Sequence, residues 1–210
     1  PADFDSMIPK IIAYGRTRDE ALGRLRRALS QTTVIIEGGT TNKSFLLDLL
    51  DEPEVVDGSA DTGWIDRVRD QGRLVCDSGS GVALAAAAIE AYEDETQVEL
   101  QRLLSTAHGG RPQVQHEGGR AIDLKLRGAG YRVLVAQVGP QRYRVGFAVG
   151  DDVRMVDAEL ERFDDATGQL VVNGQRFRLV TGTHGPIHLV EVDGVTHRIS
   201  RDEGGVLRSQ

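Results

Sequence analysis

Closely spaced turn signals in the second half of the chain constrain its fold more than any other feature. Asn173-Gly174 and Asp193-Gly194 each stand between segments of alternating apolar and polar residues, the pattern of a tight β-hairpin. Together with other turn signals they delimit eight predicted strands, at about 120–127, 130–138, 141–149, 152–163, 168–173, 175–182, 187–193 and 195–201. Strands connected this closely pair antiparallel, and such a sheet closes or curls to remove its edges.

A long helix is predicted directly before these strands, over about residues 81–107. Its first half contains four consecutive alanines, at positions 85–88, and a Gly-Gly-Arg-Pro sequence at 109–112 ends it. Alanine combines a small side chain with the highest helix propensity, so this helix is predicted to be thin.

The first third of the chain alternates between strand and helix signals. Apolar runs at 7–13 and 32–36 predict two buried strands. Between them, Thr17 and Glu20 form a capping-box pattern that predicts a helix starting at this point, with the Glu20 side chain reaching back to the Thr17 amide.

Two further helices and a domain boundary follow. One helix is predicted after Asn42 and is ended by Asp51-Glu52-Pro53, and another starts at residue 61 or 62 and buries Trp64. Small polar residues then mark a flexible linker, which predicts a first domain over residues 1–72, a linker over 73–80 and a second domain over 81–210. We expect the two domains to be separately structured.

Composition excludes several classes of function. The net charge of -7 disfavours nucleic acid as a partner, because phosphate binding requires a basic surface. No apolar run approaches the ~20 residues that span a bilayer, and no signal segment opens the chain, so we predict no membrane association. Cys76 is the single cysteine, which agrees with a cytoplasmic location. The chain begins with Pro1 rather than Met, which suggests a cut end.

The opening residues resemble a known protein family. The sequences ADFDSMIPKIIAYGR at 2–16, RDEAL at 18–22 and IEGGTTNKSFL at 36–46 resemble the last subdomain of biotin carboxylase in order, spacing and residue type. Residues 81–210 resemble the domain that follows biotin carboxylase in acyl-CoA carboxylase α chains. In that family a long helix is wrapped by an eight-stranded antiparallel barrel. The resemblance implies an α+β chain: a small α/β piece, then a helix-filled β-barrel.

The function implied by this resemblance is that of a fragment of a biotin-dependent acyl-CoA carboxylase. The parent ligase carboxylates biotin with ATP and Mg, then transfers the carboxyl group to an acyl-CoA. The implied partners are the upstream ATP-grasp part of biotin carboxylase, the carboxyltransferase domain or subunit, and the biotin carboxyl carrier domain. Lys10, Lys43 and Lys125 lack the flanking methionines of a biotin acceptor, and no nucleotide-binding loop is present. We therefore expect this fragment to bind no cofactor and to be inactive alone.

The resemblance also selects candidate functional residues. Asp5 lies in a segment that borders the active site of the parent domain, and we consider two roles for it: orienting an upstream arginine through charge-assisted hydrogen bonds, or forming a turn. In the family, the loop after the long helix hooks onto the biotin carboxylase domain. The corresponding candidates for partner docking are Arg111, Pro112, Gln113, Val114, Gln115 and His116.

Alternative functions rest on the barrel and its histidines. A β-barrel can bind a small ligand in its interior, although a helix inside it would fill that space. His184, His188 and His197 in the last strands suggest either a metal site, as a standalone enzyme would use, or ordinary strand-face side chains, which we favour. Cys76 has no neighbouring base, and Ser78–Gly81 lacks the lysine of a phosphate loop, so both are interpreted as linker residues.

Overall fold

The computed structural model describes residues 9–34, 36, 41–70, 79–106, 119–149 and 152–201. The chain divides into two compact units. The first comprises Pro1–Ser78 and Asp193–Val195, and the second comprises Gly79–Val192 and Thr196–Gln210.

The described residues of the first unit form four short helices. These are α1 (Arg18–Gln31), α2 (Lys43–Leu49), α3 (Pro53–Asp57) and α4 (Trp64–Asp70). The capping-box prediction at α1 is confirmed in one half, since the Glu20 amide donates to Thr17 Oγ1 at 3.2 Å. The other half differs: the Glu20 carboxylate accepts from the Arg16 amide at 2.7 Å, one residue before the predicted donor.

Two sequence-based expectations for the first unit differ from the structure. No strand forms in residues 9–13 or in the described residues 32–34 and 36, and Ile12 is 84% exposed. A strand requires a neighbour to satisfy its backbone groups, and the described residues of this unit provide none. Helix α2 ends at Leu49, before the predicted stop at residues 51–53, and Pro53 instead starts α3, because proline is well suited to the first position of a helix.

The second unit consists of one helix and eight strands. They are α5 (Ser80–Thr106), β1 (Arg120–Leu126), β2 (Ala129–Gly139), β3 (Arg142–Val149), β4 (Asp152–Arg162), β5 (Thr167–Val172), β6 (Gln175–His184), β7 (Ile187–Val192) and β8 (Val195–Arg201). The strands form a closed barrel in sequence order, and β1 pairs antiparallel with β8 to close it. The predicted fold class, α+β with a closed antiparallel eight-stranded barrel, is confirmed.

Turn geometry explains why consecutive strands pair. Asn173 and Gly174, between β5 and β6, have φ of 50° and 83°, the left-handed pair that matches the twist of a two-residue hairpin. Arg127 and Gly128 adopt the same combination between β1 and β2, with φ of 51° and 83°. Each turn reverses the chain within two residues, and so neighbouring segments become neighbouring strands.

The core of the second unit lies between α5 and the inner faces of the strands. The residues of α5 at positions 83–89 and 91 are at most 4% exposed. They pack in one cluster with inward-facing strand residues, among them Leu124, Val133, Val145 and Leu170. Strand alternation sets this arrangement, since side chains at every second position face the helix.

Candidate functional site

The residues that the sequence analysis selects as functional lie outside the described part of the chain. Asp5 falls within residues 1–8, and the six docking candidates at 111–116 fall within residues 107–118. Their roles therefore stay predictions. The described structure nearest to 111–116 in sequence is the second half of α5 with the surrounding strands.

Helix α5 changes its chemical character halfway along its length. Its first half is apolar and enclosed, whereas its second half carries glutamates at positions 90, 93, 95 and 99. A carboxylate that is partly withdrawn from water requires hydrogen-bond donors to offset the lost hydration. We call these four glutamates, with the strand side chains that contact them, the carboxylate collar.

Glu93 is held by two strand residues. Arg162, at the end of β4, donates from Nη2 to Glu93 Oε2 at 2.6 Å and from Nη1 to Oε1 at 3.2 Å. The Tyr143 hydroxyl, on β3, donates to the same carboxylate. This fork of donors fixes both oxygens of Glu93, so rotation of the helix would break several charge-assisted hydrogen bonds at once.

The local electrostatics keep both donors to Glu93, Tyr143 and Arg162, in their protonated forms. Burial, and then the hydrogen bond to Glu93, raise the pKa of Tyr143 above its ordinary value. Burial by itself would lower the pKa of Arg162, but the hydrogen bond to Glu93 raises it overall. Tyr143 is therefore a neutral donor at physiological pH, and its ring is packed edge-on against Tyr92 of α5, with 6.5 Å between ring centroids.

Glu95 and Glu99 contact the two strands that close the barrel. Arg120, on β1, donates to Glu99 and lies 3.6 Å from Glu95, measured from Nη1 to Oε2. Arg201, on β8, donates to Glu95. The hydrogen bond between Arg120 and Glu99 raises the pKa of the arginine and lowers that of the glutamate. The helix thus bridges β1 and β8 through its own carboxylates.

Glu90 contacts a histidine inside the barrel. His188, on β7, is fully buried, and its Nδ1 lies 3.2 Å from Glu90 Oε2 and 3.3 Å from Thr183 Oγ1. Its Nε2 has no hydrogen-bond partner among the described residues. His188 therefore anchors the innermost carboxylate of the collar.

The three histidines considered as metal ligands have different surroundings. His184 is exposed, His188 contacts Glu90, and His197 is 2% exposed. Within the described ranges, no group of three or more histidine, cysteine, aspartate or glutamate side chains is placed to hold a metal ion. The sequence analysis considered His188 as a metal ligand or as an ordinary strand-face side chain. Neither interpretation included its contact with α5.

The collar itself was missed by the sequence analysis. A signal is present, since a helix whose first half is rich in alanine acquires four glutamates within ten positions. Their partners cannot be read from the sequence, however. Which arginine meets which glutamate depends on how far the helix extends along the barrel, and packing sets that position.

The first unit contains an apolar cavity of about 370 Å³. Its lining includes Ile11, Leu25, Leu29, Leu46, Leu50 and Trp64. The Trp64 side chain is buried, and its Nε1 has no hydrogen-bond partner among the described residues. Aliphatic side chains dominate the lining. Such a lining is better suited to packing against another apolar surface than to catalysis.

Among the described helices, none combines the length and the apolar character required to cross a bilayer.

Comparison with known proteins connects the first unit to one enzyme family. Residues 1–67 match the family model described as the biotin carboxylase C-terminal domain. Biotin carboxylase 1 of Bacillus subtilis is 46% identical over 66 residues, which are 31% of this chain and 14% of that protein. Biotin carboxylase of Pseudomonas aeruginosa is 34% identical over 67 residues, covering 32% of this chain and 14% of that protein.

A similar segment occurs in a pyruvate carboxylase. Pyruvate carboxylase 1 of Caenorhabditis elegans is 40% identical over 63 residues, which are 30% of this chain and 5% of that protein. The matched segment thus spans about a seventh, or less, of these relatives. The first unit is therefore similar to part of the biotin carboxylase C-terminal domain, and the family model ends before the helix-filled barrel begins.

Proposed function

We propose that this chain is part of a biotin-dependent acyl-CoA carboxylase of the cytoplasm. In this proposal the first unit completes the C-terminal part of the biotin carboxylase domain. The second unit docks that domain to the carboxyltransferase, so that the biotin carrier domain can serve both. The observation that carries the proposal is the order of the two parts: a segment similar to biotin carboxylase, followed by a closed barrel filled by its own helix.

The barrel supports a docking role because its interior is already occupied. The alanine-rich half of α5 is enclosed by the strands, and the collar engages the glutamates of the other half. Binding of a small ligand within the barrel, the alternative function, would require the helix to leave. In the described part of this unit, the outer surface and the ends of the barrel remain available to a partner.

Cofactor chemistry belongs to the parent enzyme in this proposal. The parent would use biotin, ATP and Mg, but the residues present here do not fit the metal. The glutamates of the collar are engaged by arginine, tyrosine and histidine donors, and the described residues form no other group suited to a metal ion. In this proposal, biotin, ATP and Mg are therefore bound by other parts of the parent enzyme.

The first prediction is that the 210-residue chain has no carboxylase activity alone, because it lacks a nucleotide-binding loop and a biotin-acceptor motif. The measurement is phosphate release on incubation with ATP, bicarbonate and free biotin. Biotin-dependent release above the background of a protein-free sample would contradict the prediction.

Residues 111–116 are our candidates for the docking contact. The segment begins five positions after the last residue of α5 and combines a cationic side chain, Arg111, with a stiffening Pro112 and an apolar Val114. A stiff segment loses less conformational entropy on binding than a flexible one. Arginine is also enriched among the residues that dominate interface energies.

The second prediction concerns the double variant Arg111→Ala with Val114→Asp in the complete carboxylase. We expect assembly between the biotin carboxylase and carboxyltransferase parts to weaken by about 2 kcal/mol if this segment is an interface hot spot. Sedimentation measures assembly, and comparison of the overall rate with the two half-reaction rates shows whether coupling is lost while each half-reaction survives.

A matched control places the same substitutions on the outer wall of the barrel. Arg144→Ala with Val153→Asp changes exposed side chains of β3 and β4. Normal assembly of this control, with weakened assembly of the loop variant, supports docking through 111–116. Unchanged assembly and an unchanged overall rate in the loop variant would rule this segment out as the contact.

A further inference from the structure

The enclosed half of α5 has a nearly smooth surface. Residues 85–88 are four consecutive alanines, and Ala83 and Ala91 carry the same methyl group; none of these six residues is more than 1% exposed. Ala83, Ala87 and Ala91 are spaced four residues apart, so moving the helix by one turn, about 5.4 Å along its axis, replaces one methyl group by another. Alanine packing therefore does not by itself fix the register of α5, by which we mean its depth and rotation within the barrel.

The arginine contacts at the barrel closure do not select a single register either. Arg120 donates to Glu99, and its Nη1 also lies 3.6 Å from Oε2 of Glu95, one turn earlier on the helix. A long, flexible arginine side chain thus reaches acceptors one turn apart. Both side chains are also in contact with water, at 32% exposure for Arg120 and 60% for Glu99. This ion pair therefore holds α5 without distinguishing neighbouring positions.

Glu93 is more firmly held, by Arg162 and Tyr143, but it too is accessible to solvent. The exposed fractions of the Glu93 and Arg162 side chains are 32% and 42%. Water replaces hydrogen bonds that such a group loses when the helix moves, so the net free energy of the contact is modest. A contact that defines the register strongly has to lie where water does not compensate for its loss.

The contact between Glu90 and His188 meets this condition. The exposed fractions of their side chains are 13% and 1%, and His188 Nδ1 lies 3.2 Å from Glu90 Oε2. A carboxylate accepts hydrogen bonds, so this contact places the ring hydrogen on Nδ1. The imidazole ring is short and rigid and lies on a barrel strand, so it cannot follow a moving helix as an arginine does.

A displacement of α5 by one turn separates this pair in either direction. Ala86 precedes Glu90 by one turn and offers no acceptor to the ring. Asp94 follows it by one turn, and bringing Asp94 to the ring would move the Glu90 carboxylate to the place of Ala86, which is 1% exposed. Burying a carboxylate away from its partner costs free energy, because its hydration is lost without replacement.

Apolar packing of larger side chains is the alternative source of register. Leu84 and Ile89 are both buried in the enclosed half of α5. Apolar cores, however, accept rearrangement when volume and patterning are kept, and they lose their single arrangement before they lose stability. A buried polar group separated from its hydrogen-bond partner has no comparable freedom. The polar contact is therefore the stronger determinant.

We propose that the buried contact between Glu90 and His188 is a register lock, which selects one depth and one rotation of α5 within the barrel. It thereby sets how much of the helix projects from the strands, including the exposed residues 97–102. A single buried polar residue fixes the register of coiled coils in the same way, at a cost in stability. The inference concerns the second unit alone and does not depend on the partner that this unit binds.

The test replaces the register lock by apolar side chains of similar size, as Glu90→Met with His188→Leu in the 210-residue chain. Nuclear magnetic resonance of methyl-labelled alanines should show one resonance each for Ala83, Ala87 and Ala91 in the parent. The double variant should show additional resonances or exchange broadening, because helix displacements occur in microseconds to milliseconds. Its midpoint of urea unfolding should be unchanged or higher, since an apolar pair replaces a buried polar one.

A matched control makes the same substitutions at the exposed end of the collar. Glu99→Met with Arg120→Leu removes an ion pair of the same helix and leaves the register lock in place. We expect one resonance for each alanine methyl group in this variant. Additional resonances in the control as well would show a general loosening of α5 and would overturn the inference.

His188→Asn separates the hydrogen bond from the packing. The amide nitrogen of asparagine, like Nδ1 of histidine, is bonded to Cγ, so it can donate to Glu90, while the smaller side chain leaves space unfilled. We expect a lower urea midpoint but a single set of alanine resonances. If packing alone sets the register, the reverse holds: the asparagine variant loses the single register and the apolar double variant keeps it.

Each result then decides the matter. Multiple registers in the apolar double variant, with one register in the control and in His188→Asn, support the register lock. A single register in the double variant, or several in His188→Asn, overturns it. If the double variant does not fold, the resonances of His188→Asn alone give the decision. Nuclear Overhauser contacts between the alanine methyl groups and the strands identify which alanine occupies each position.

Discussion

Two glycines in neighbouring barrel strands show how much depends on a single side-chain carbon. A Cβ added at Gly168 would lie 2.5 Å from the carbonyl oxygen of Glu161, whereas one added at Gly182 would meet nothing within 4 Å. Both residues are strand glycines in the sequence. They differ because the cross-strand pairing of Gly168 with Arg162 brings the β4 backbone close, and local sequence does not determine that approach.

The third prediction tests this difference. Gly168→Ala should lower the free energy of unfolding by about 2 kcal/mol, because the β4 backbone must shift to admit the methyl group. Gly182→Ala should be neutral or slightly stabilising, since alanine restricts the unfolded chain and meets no obstacle. Urea unfolding followed by circular dichroism compares the two variants with the parent chain. Equal changes in the free energy of unfolding would mean that the backbones of β4 and β5 lie farther apart than the structure shows.

Helix α5 shows which properties of an element can be predicted from sequence. The alanines at 85–88 and the hairpin signals predict a thin helix followed by antiparallel strands, and the family resemblance implies that the strands enclose the helix; the structure confirms both. The predicted strand ends also agree with the observed ones within a residue or two. The carboxylate collar could not be predicted, because its pairs join residues as far apart as Glu95 and Arg201.

In the first unit the local sequence pattern did not predict the structure correctly, and the reason is again physical. The apolar run at 7–13 satisfies the local pattern for a strand, yet its described residues form none. A hairpin supplies its own pairing partner, whereas an isolated apolar run depends on a strand from elsewhere. Local pattern therefore succeeds in the barrel and is insufficient in the first unit.

The fourth prediction concerns the space available to α5. Ala87, on α5, is fully buried against the strands. Ala87→Leu therefore adds three carbon atoms where close packing leaves no room. We expect it to destabilise the second unit by about 2 kcal/mol or more. The exposed Gln97→Leu variant controls for the effect of leucine on the helix and should unfold within about 0.5 kcal/mol of the parent chain. Thermal unfolding of both variants is the measurement.

In the molecule as a whole, the two units differ in how their apolar residues are packed. The first holds an apolar cavity lined by aliphatic side chains and is similar to part of a larger catalytic domain. The second completes its own core, since the helix fills the barrel and the strands close on themselves. This contrast is compatible with the proposal that a segment of biotin carboxylase is joined here to a separate docking module. The domain boundaries at 72 and 81 stay predictions.

The fifth prediction tests the central claim most directly, by replacing residues 79–201 of the complete carboxylase with a flexible linker. We expect the biotin carboxylase half-reaction to continue near its normal rate with free biotin as acceptor, because the barrel has no part in that chemistry. Sedimentation should show the carboxyltransferase released from the complex, and the overall carboxylation rate should fall at least tenfold. Unchanged assembly together with an unchanged overall rate would contradict the account, since the helix-filled barrel would then not be the docking module.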